Sequence, residues 1–384
     1  MTTPKIAYLD YMATTPVAPS VVEAMLPYLT DNFGNPASKN YYGHVAQAAI
    51  EKAREQVARC INTDAKNIIF TSGATESINL ALKGAANFYR KSGDHIITLT
   101  TEHTATLAAC KYLENNGFTV TYLTPMQNGL LDLEKLKEAL RPTTILVSIC
   151  HVNNEIGVVQ DIEAIGALVN ANGALLHIDA AQSIGKAVLD VTTSQAALIS
   201  LSAHKSYGPK GVGALYIRPI PRLHLTPLNH GGGQEKNIRS GTLATHQIVG
   251  MGAAFNLMHE NFKQNITNVI TLQRALLSGI QKLDNIKING DLKQRVPHNL
   301  SVTFKGIPGE LLYNCLQSKI AVSSGSACNS HTIKVSHVLT ALGVPFEDSN
   351  ATIRYSIGHT TTLAEIETAV ECTIDVVNKL RSNI

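Results

Sequence analysis

Seven short apolar or β-branched segments alternate with helical patterns between residues 68 and 217, and this alternation limits what the chain can fold into. The segments are typical of strands buried on both faces, because their apolar residues are continuous. Between them, leucine and isoleucine recur at spacings of three and four, in one case behind an N-cap at Asp161. We therefore predict an α/β fold in which helices flank a mostly parallel, mixed sheet. The predicted strands cover residues 68–71, 95–98, 120–123, 144–149, 175–178, 198–201 and 214–217.

The pattern changes after residue 245. Apolar residues there mark one face of a helix that we expect to continue to about residue 284 and to connect two bodies. We predict a large domain of residues 16–257. Residues 1–15 and 258–384 would form a smaller α+β domain that carries a cysteine loop at about residues 323–335. Its predicted elements are strands at 286–288, 300–304 and 320–323 and a last helix at about 363–381.

Composition excludes several classes of protein. Of the 384 residues, 44% are apolar and 16% are charged, which is ordinary globular composition and rules out general disorder. A formal net charge of +3 offers little surface for neutralising phosphates, so we predict no direct binding of nucleic acid. The sequence shows no signal-peptide pattern and no run of about 18 apolar residues. We therefore expect a cytoplasmic protein without a membrane span.

Six cysteines are scattered through the chain without a C-x-x-C pair. Their spacing predicts neither a zinc site nor a disulfide framework. Cys328 lies in a run of small polar residues and glycine, residues 323–330, which we interpret as a loop. The other five have apolar neighbours and are expected to be small core residues. They are Cys60, Cys110, Cys150, Cys315 and Cys372.

Three features lie where strands of the predicted sheet end. Residues 72–76 form a small-residue turn before a helix, whose free N–H groups and dipole favour an anion such as phosphate. The alternative is a plain tight turn capped by Thr75 or Ser72. Asp179 follows a buried strand and is either a ligand contact or a helix N-cap. Lys205 follows the next strand and could be an ordinary solvated lysine. Together they supply what a pyridoxal phosphate enzyme needs: a phosphate anchor, a carboxylate for the pyridinium nitrogen and an amine.

Nine motifs are spread along essentially the whole chain. They are YLDYMATTP (8–16), FGNPAS (33–38), SGATE (72–76), TEH (101–103), HVNNEIG (151–157), HIDAAQ (177–182), SAHK (202–205), RSGT (239–242) and SSGSAC (323–328). With these motifs in this order, the chain resembles the cysteine desulfurases of the NifS/IscS type, which are class V aminotransferase relatives and fold-type I pyridoxal phosphate enzymes. Its cysteine loop is similar to that of the group with the longer, mobile loop.

The resemblance implies a role for each matching position around the cofactor. Lys205 would bind the cofactor as a Schiff base, and Asp179 would pair with the pyridinium nitrogen. Gln182, together with or near Asn154, would bond the phenolic oxygen. His103 would stack on the ring and help to move protons, although it could instead be a capping histidine after a strand. The phosphate ligands would be Ala74, Thr75, Ser202 and His204, and Thr242 would reach the phosphate of the other subunit in a homodimer.

For the substrate, the resemblance implies L-cysteine. Arg354 would grip its carboxylate through a two-pronged ion pair, with Asn154 and Asn35 assisting; the alternative is a surface arginine on a strand. The Cys328 thiolate would attack the substrate sulfur and become a persulfide as L-alanine leaves. It would then pass the sulfur to an acceptor thiol. Cys328 could also be a transient ligand of an iron–sulfur cluster held with a partner scaffold.

The acceptor stays open between an iron–sulfur scaffold and a tRNA-thiolation relay. Two departures from the family pattern bear on it: residues 329–331 (NSH) follow the cysteine, and the C-terminus is shorter than in housekeeping members. One alternative function is another fold-type I enzyme, such as an aminotransferase, a kynureninase-like hydrolase or a selenocysteine lyase, which would not need Cys328 in a mobile loop. A second is an inactive scaffold for iron–sulfur assembly, against which the intact Lys205, Asp179 and Cys328 argue.

Overall fold

The computed structural model describes residues 6–219, 223–329 and 332–382, and for residues 326–329 and 332–334 it describes only the backbone. The strands are β1 (Ala7–Tyr8), β2 (Ile68–Thr71), β3 (His95–Leu99), β4 (Thr119–Leu123), β5 (Thr144–Cys150), β6 (Leu175–Asp179), β7 (Leu198–Ser202), β8 (Gly213–Ile217), β9 (Ile286–Ile288), β10 (Asn299–Phe304), β11 (Ile320–Ala321), β12 (Ser323–Ser324), β13 (Ser326–Asn329), β14 (Thr332–Val335) and β15 (Thr352–Ser356). The helices are α1 (Pro19–Met25), α2 (Tyr41–Arg59), α3 (Ala74–Tyr89), α4 (Thr104–Asn115), α5 (Leu133–Ala139), α6 (Ile162–Asn172), α7 (Val191–Ser194), α8 (Thr245–Glu260), α9 (Phe262–Ile280), α10 (Gly309–Leu316), α11 (His337–Ala341), α12 (Phe346–Asn350) and α13 (Leu363–Ser382).

The central sheet has seven strands in the order β2-β8-β7-β6-β5-β3-β4. Strands β3 to β7 run parallel to one another, whereas β8 is antiparallel to both β7 and β2. Nearly all residues of the central sheet are buried, apart from those of the outer strand β4. This burial explains the continuous apolar runs in the sequence. The predicted α/β fold with a mostly parallel sheet is confirmed. The pairing places Cys150 beside Asp179 and Asp179 beside Ser200, so the carboxyl ends of β5, β6 and β7 meet at one edge.

A second, four-stranded sheet has the order β12-β15-β10-β9 and is antiparallel throughout. Beside it, β1 pairs in parallel with β11. Ala7 and Leu9 join a hydrophobic cluster whose other members lie between Val269 and Val377. The largest cluster, under the central sheet, runs from Tyr11 to Met258. The boundaries predicted for the two domains stay a prediction.

Three predicted elements differ in the structure. The helix expected to run to residue 284 ends at Glu260 and restarts at Phe262, because Asn261 leaves helical geometry (φ −99°, ψ 10°) and its side chain bonds the Leu257 carbonyl. The strand predicted at 320–323 is split between β11 and β12, which belong to different sheets. The segment 323–330, interpreted as a loop, contains β12 and β13, and β13 forms a hairpin with β14. Strands pair through backbone hydrogen bonds, which do not require a periodic pattern of apolar residues. The sequence pattern therefore did not reveal β12 and β13.

The cysteine prediction was partly wrong. Cys110 and Cys372 are buried, and Cys60 and Cys150 are partly so, but Cys315 is exposed. Cys315 lies near the end of the eight-residue helix α10, whose buried positions are Gly309, Leu312 and Leu316. Its thiol therefore belongs to the solvent side of that helix. In the described ranges, no helix combines the length and the hydropathy needed to cross a bilayer.

Candidate active site

A cavity of about 490 Å³ opens at the edge of the central sheet where β2, β5, β6 and β7 end. Its walls come from the turn before α3, from residues just beyond these strands, and from the segment 210–212 ahead of β8. The structure therefore gathers most of the predicted cofactor residues into one space, although they are far apart in the sequence. The predicted residues that line it are Ala74, Thr75, His103, Asn154, Asp179, Gln182, Ser202, His204 and Lys205.

The start of α3 is built to receive an anion. Its N-cap is Gly73, at φ 154° and ψ 177°, and no side chain caps the first turn. The first N–H groups of a helix have no partner within it. A Cβ on Gly73 would meet no atom within 4 Å, so the backbone here borders open space. The uncapped N–H groups and the helix dipole fit a phosphate group, as the sequence predicts.

Glu76 adds a carboxylate to this first turn, and Arg239, Ser72 and Asn229 donate hydrogen bonds to it. Arg239 Nε lies 2.8 Å from Glu76 Oε1, and the Ser72 N–H donates to Glu76 Oε2 at 2.7 Å. Burial raises the pKa of Glu76, but the bonds from Arg239 and Ser72 outweigh it and lower the pKa overall. The carboxylate is thus neutralised within the protein and does not repel an anion bound at the helix start.

Lys205 lies in a turn after β7 that is fixed from two sides. The Thr15 N–H and hydroxyl donate to the His204 carbonyl at 2.9 and 3.0 Å, and Lys186 Nζ donates to the Lys205 carbonyl at 2.7 Å. Among the described residues, the Lys205 amine itself donates no hydrogen bond. Burial lowers the pKa of Lys205, although Asp179 and Cys150 oppose the shift. The amine is therefore held in the cavity wall with a reduced tendency to carry charge, which suits a nucleophile.

Two further polar residues contribute to the cavity wall. Asp179, the last residue of β6, is 3% exposed and accepts a bond from the Ala181 N–H at 3.0 Å. It thus closes a turn and lines the cavity, and because the next helix begins only at Val191, the alternative of a helix N-cap is wrong. Gln182 donates from Nε2 to the Met12 carbonyl at 2.8 Å. Its buried Oε1 has no partner within the part of the chain described. Such an unpaired buried acceptor indicates a group that is bound there in the working protein.

His103 both caps helix α4 and lines the cavity. Its Nδ1 accepts a bond from the Ala105 N–H at 3.1 Å and caps α4, while the ring lines the cavity. Because Nδ1 accepts, the proton of the neutral ring lies on Nε2. Burial lowers the pKa of His103, Lys205 and His337 lower it further, and Asp179 opposes them. The ring is thus a neutral imidazole that can exchange a proton through Nε2.

Two further residues at the cavity, Glu102 and Cys150, were not predicted as part of the site. Glu102 is completely buried, accepts a bond from the Cys150 N–H at 2.9 Å and leaves Oε2 without a partner among the described residues. Burial raises the pKa of Glu102 well above its usual range, so the carboxyl group is neutral. Cys150 lines the cavity and donates from Sγ to the Val152 carbonyl at 3.1 Å. Cys150 directly follows the strand predicted at 144–149, and that position was the signal that could have found it. Glu102 lies four residues beyond the strand predicted at 95–98 and carries no such signal.

Arg354 lies in β15 outside the cavity lining, and its side chain is 12% exposed, so it is not a surface arginine. Its Nη2 pairs with Asp10 Oδ1 at 2.6 Å and also donates to Ser323 Oγ at 2.7 Å. Its Nη1 donates to the carbonyl of Asn154, a residue of the cavity wall, at 2.9 Å. The guanidinium is therefore held next to the cavity by acceptors from three distant parts of the chain.

Three predicted residues are not brought into this arrangement. Asn35 is exposed, and its Oδ1 accepts a bond from the Ala37 N–H at 3.0 Å. Thr242 is exposed and lies outside the cavity lining. The backbone of Cys328 pairs with Ile333 in the β13–β14 hairpin, but its side chain, and with it the predicted persulfide and cluster ligand, lies outside the described residues. In the described ranges no group of three or more His, Cys, Asp or Glu side chains is placed to hold a metal ion.

Comparisons with known proteins agree on one family. The model of the class-V aminotransferases matches residues 7–368. The chain is 54% identical over 378 residues to cysteine desulfurase IscS of Vibrio cholerae serotype O1 (strain M66-2), covering 98% of this chain and 93% of that protein. It is 51% identical over 375 residues to cysteine desulfurase IscS of Methylococcus capsulatus, covering 97% and 93%.

Solved structures give the same result. A NifS-like protein superposes with a TM-score of 0.91 at 36% identity, covering 98% of this chain and all of that one. SspA in complex with cysteine superposes with a TM-score of 0.82 at 39% identity, covering 93% of this chain and all of SspA. The resemblance to cysteine desulfurases that the sequence motifs indicate is confirmed.

Proposed function

This chain belongs to the class-V aminotransferase family and is a cysteine desulfurase, and we propose how its residues divide the reaction. The observation that carries the proposal is the cavity that unites the Lys205 amine, the Asp179 carboxylate and the uncapped start of α3. These are the three groups that the sequence analysis assigned to a pyridoxal phosphate site. Their meeting in one space supports that assignment.

The residues present fit pyridoxal phosphate. The N–H groups of Ala74 and Thr75 would hold its phosphate, Asp179 its ring nitrogen and Lys205 its aldehyde carbon, while Gln182 has a buried Oε1 in need of a partner. Ser202 and His204 line the same cavity and would complete the phosphate site. When bound, this cofactor supplies an electron sink that makes the α-proton of an amino acid acidic and weakens its Cβ–S bond.

Lys205 and His103 handle the protons. Burial lowers the pKa of Lys205 and so favours the uncharged amine, the form that can accept the α-proton of the substrate. His103 exchanges a proton through Nε2, because Nδ1 is tied to the Ala105 N–H. Arg354 binds the substrate carboxylate beside the cavity, next to Asn154. Asn35 is proposed to assist it.

Cys328 takes the sulfur. Its thiol attacks the sulfur of the bound L-cysteine, the Cβ–S bond breaks and an S–S bond forms, giving L-alanine and a Cys328 persulfide. The balance needs no further oxidant, because the substrate carbon is reduced as the sulfur is oxidised. The persulfide then passes its outer sulfur to an acceptor thiol by exchange. We propose that the acceptors are proteins of iron–sulfur cluster assembly or of tRNA thiolation in the cytoplasm, and that Cys328 is a transient cluster ligand with such a scaffold.

The test replaces Cys328 by Ser and uses the exposed Cys315→Ser as the matched control. With L-cysteine as substrate, we expect alanine and sulfide release to fall at least about 100-fold in Cys328→Ser, because the nucleophile is lost, with the cofactor absorbance retained. Cys315→Ser should retain turnover. Undiminished release in Cys328→Ser would contradict the role of Cys328. Turnover of L-selenocysteine alone would favour the selenocysteine lyase instead, and failure to bind cofactor would favour the inactive scaffold.

We further propose that two copies of the chain form a homodimer. Large apolar side chains that soluble proteins normally bury are exposed near the start of the chain, and Phe33 and Tyr42 stack at 5.6 Å on that surface. A second copy would cover them, and Thr242 would reach the phosphate site of the partner. Sedimentation of the wild-type protein as a monomer would refute this. The exposed residues are Leu26, Leu29, Phe33, Tyr41 and Tyr42.

A further inference from the structure

Asp10, Ser323 and Arg354 form a closed triangle of hydrogen bonds, which we call the arginine cluster. Arg354 Nη2 donates to Asp10 Oδ1 at 2.6 Å and to Ser323 Oγ at 2.7 Å, and the Ser323 hydroxyl donates to Asp10 Oδ1 at 2.8 Å. Both charged side chains are largely buried, with 12% of the arginine and 19% of the aspartate exposed. The triangle is therefore shielded from water and well ordered by charge-assisted bonds.

With its present hydrogen bonds, Arg354 cannot form a two-pronged ion pair with a substrate carboxylate. A guanidinium carries one N–H at Nε and two at each Nη. Asp10 Oδ1 and Ser323 Oγ already lie against Nη2 as its acceptors, so the donor side of this nitrogen is occupied. A carboxylate fork needs two parallel N–H groups, either Nε with Nη2 or Nη1 with Nη2, so each fork includes Nη2. A substrate carboxylate can bind Arg354 in this way only if Nη2 first gives up one of its present acceptors.

We propose that the Ser323 hydroxyl occupies the carboxylate site of Arg354 and that the substrate carboxylate binds by displacing it. The inference rests on the proposed role of Arg354 as the carboxylate site. Of the two acceptors, the neutral hydroxyl forms the weaker bond to a guanidinium, whereas Asp10 forms an ion pair. After the exchange Ser323 keeps a partner, because it still donates to Asp10. Asp10 stays in place and keeps the guanidinium oriented.

The exchange makes Ser323 a residue that sets substrate affinity and selects for carboxylates. Part of the binding free energy of the carboxylate is used to replace the Ser323 bond, so the site binds its ligand less tightly than an open arginine would. A ligand without a carboxylate cannot replace a hydrogen bond to a cation and gains nothing from the site. Ser323 pairs with Arg354 across β12 and β15, so its backbone stays fixed while only the hydroxyl needs to turn.

The experiment measures binding of L-alanine, the product, to the cofactor-loaded enzyme by titration calorimetry, together with KM for L-cysteine. Ser323→Ala removes the hydroxyl that occupies the carboxylate site, so the Kd of L-alanine should fall about fivefold. A fivefold change corresponds to about 1 kcal/mol, the net contribution of one hydrogen bond. Ser323→Thr keeps the hydroxyl and should stay within about twofold of wild type. Ser318→Ala, at an exposed serine that bonds only the nearby Cys315 carbonyl, is the matched control. The binding of cysteamine, which lacks the carboxylate, should not change in Ser323→Ala.

Arg354→Gln separates the failure of this inference from the failure of the proposed function. Undiminished L-alanine binding in Arg354→Gln would show that Arg354 is not the carboxylate site. If Arg354→Gln weakens binding but Ser323→Ala binds L-alanine equally or more weakly than wild type, the exchange is refuted and the role of Arg354 stands. Tighter binding of both L-alanine and cysteamine in Ser323→Ala would also refute it, because the gain would not depend on the carboxylate. Thermal unfolding of each variant checks that it is folded.

Discussion

The cavity around Lys205 and the arginine cluster differ in how their polar groups are satisfied. In the cavity, the Lys205 amine, Gln182 Oε1 and the first N–H groups of α3 have no protein partner among the described residues. In the arginine cluster, both Nη atoms of Arg354 are bonded, and of its guanidinium nitrogens only the buried Nε has no partner among the described residues. An unpaired buried polar group costs about 1–3 kcal/mol and an unpaired charge more. A ligand that stays bound can itself satisfy the polar groups of its site. A site that releases its ligand at every turnover needs protein groups that satisfy them while the ligand is absent.

The largest expected effect comes from removing the amine of the cavity. Lys205→Ala should lower alanine production from L-cysteine by about three orders of magnitude or more, because both the covalent attachment point and the proton acceptor are lost. Lys287→Ala, at an exposed lysine of β9, is the control and should behave as wild type. The measurement is the rate of alanine release at saturating L-cysteine. Retention of a tenth of the wild-type rate would show that the unpaired amine is not the reacting group.

A smaller effect is expected when the open start of α3 is narrowed. Gly73→Ala adds a methyl group where the backbone has a left-handed φ of 154°, and should weaken cofactor binding by about tenfold through strain and intrusion on the phosphate. Gly173→Ala is matched, since Gly173 also has a positive φ of 86° and no atom within 4 Å of an added Cβ, but it caps α6 away from the cavity. Equilibrium dialysis of the cofactor distinguishes them. An equal loss of affinity in both variants would contradict a phosphate site at α3.

The smallest effect concerns the unpaired carboxyl group behind the cavity. Because the pKa of Glu102 is raised by burial, the native state keeps a proton that the unfolded chain loses above a pH of about 4.3. The native state then binds more protons, so its stability falls as the pH rises. Glu102→Gln does not titrate, so its free energy of unfolding relative to wild type should increase from pH 5 to pH 8, by about 1.4 kcal/mol for each pH unit over which Glu102 stays protonated in the native state.

Urea unfolding at the two pH values measures this difference. Glu138→Gln, at an exposed position of α5, is the control and should show no comparable trend. A gap between Glu102→Gln and wild type that shrinks as the pH rises would mean that Glu102 is ionised in the native state. The cavity wall would then hold a buried charge, and the contrast with the arginine cluster would fail.

The sequence predicted the central sheet and most of the cavity because both depend on local patterns. All seven strands predicted between residues 68 and 217 are present, each within a residue or two of its predicted limits. Parallel strands bring their carboxyl ends to one edge, so residues that follow them, such as Asp179 and Lys205, meet without further information. Asp161 caps α6 as predicted, with its side chain accepting from the Ala164 N–H.

The arginine cluster could not be predicted in this way. Ser323 is separated from Asp10 by 313 positions and from Arg354 by 31, and none of the three lies in a pattern that indicates the others. Their meeting depends on how β12 pairs with β15 and on where the chain passes after β1, which are tertiary features. Glu102 was missed for a related reason, since its burial depends on β5 lying beside β3.

The way the chain crosses between its two hydrophobic clusters has a consequence for its synthesis on the ribosome. Every residue that lines the cavity lies between positions 13 and 212, and the largest cluster is complete at Met258. The second cluster joins Ala7 and Leu9 to residues as late as Val377. The central sheet can therefore fold while the nascent chain is still growing, whereas the first residues to emerge must wait for the last ones. All residues of the cavity wall are thus synthesised before Arg354, the proposed carboxylate site.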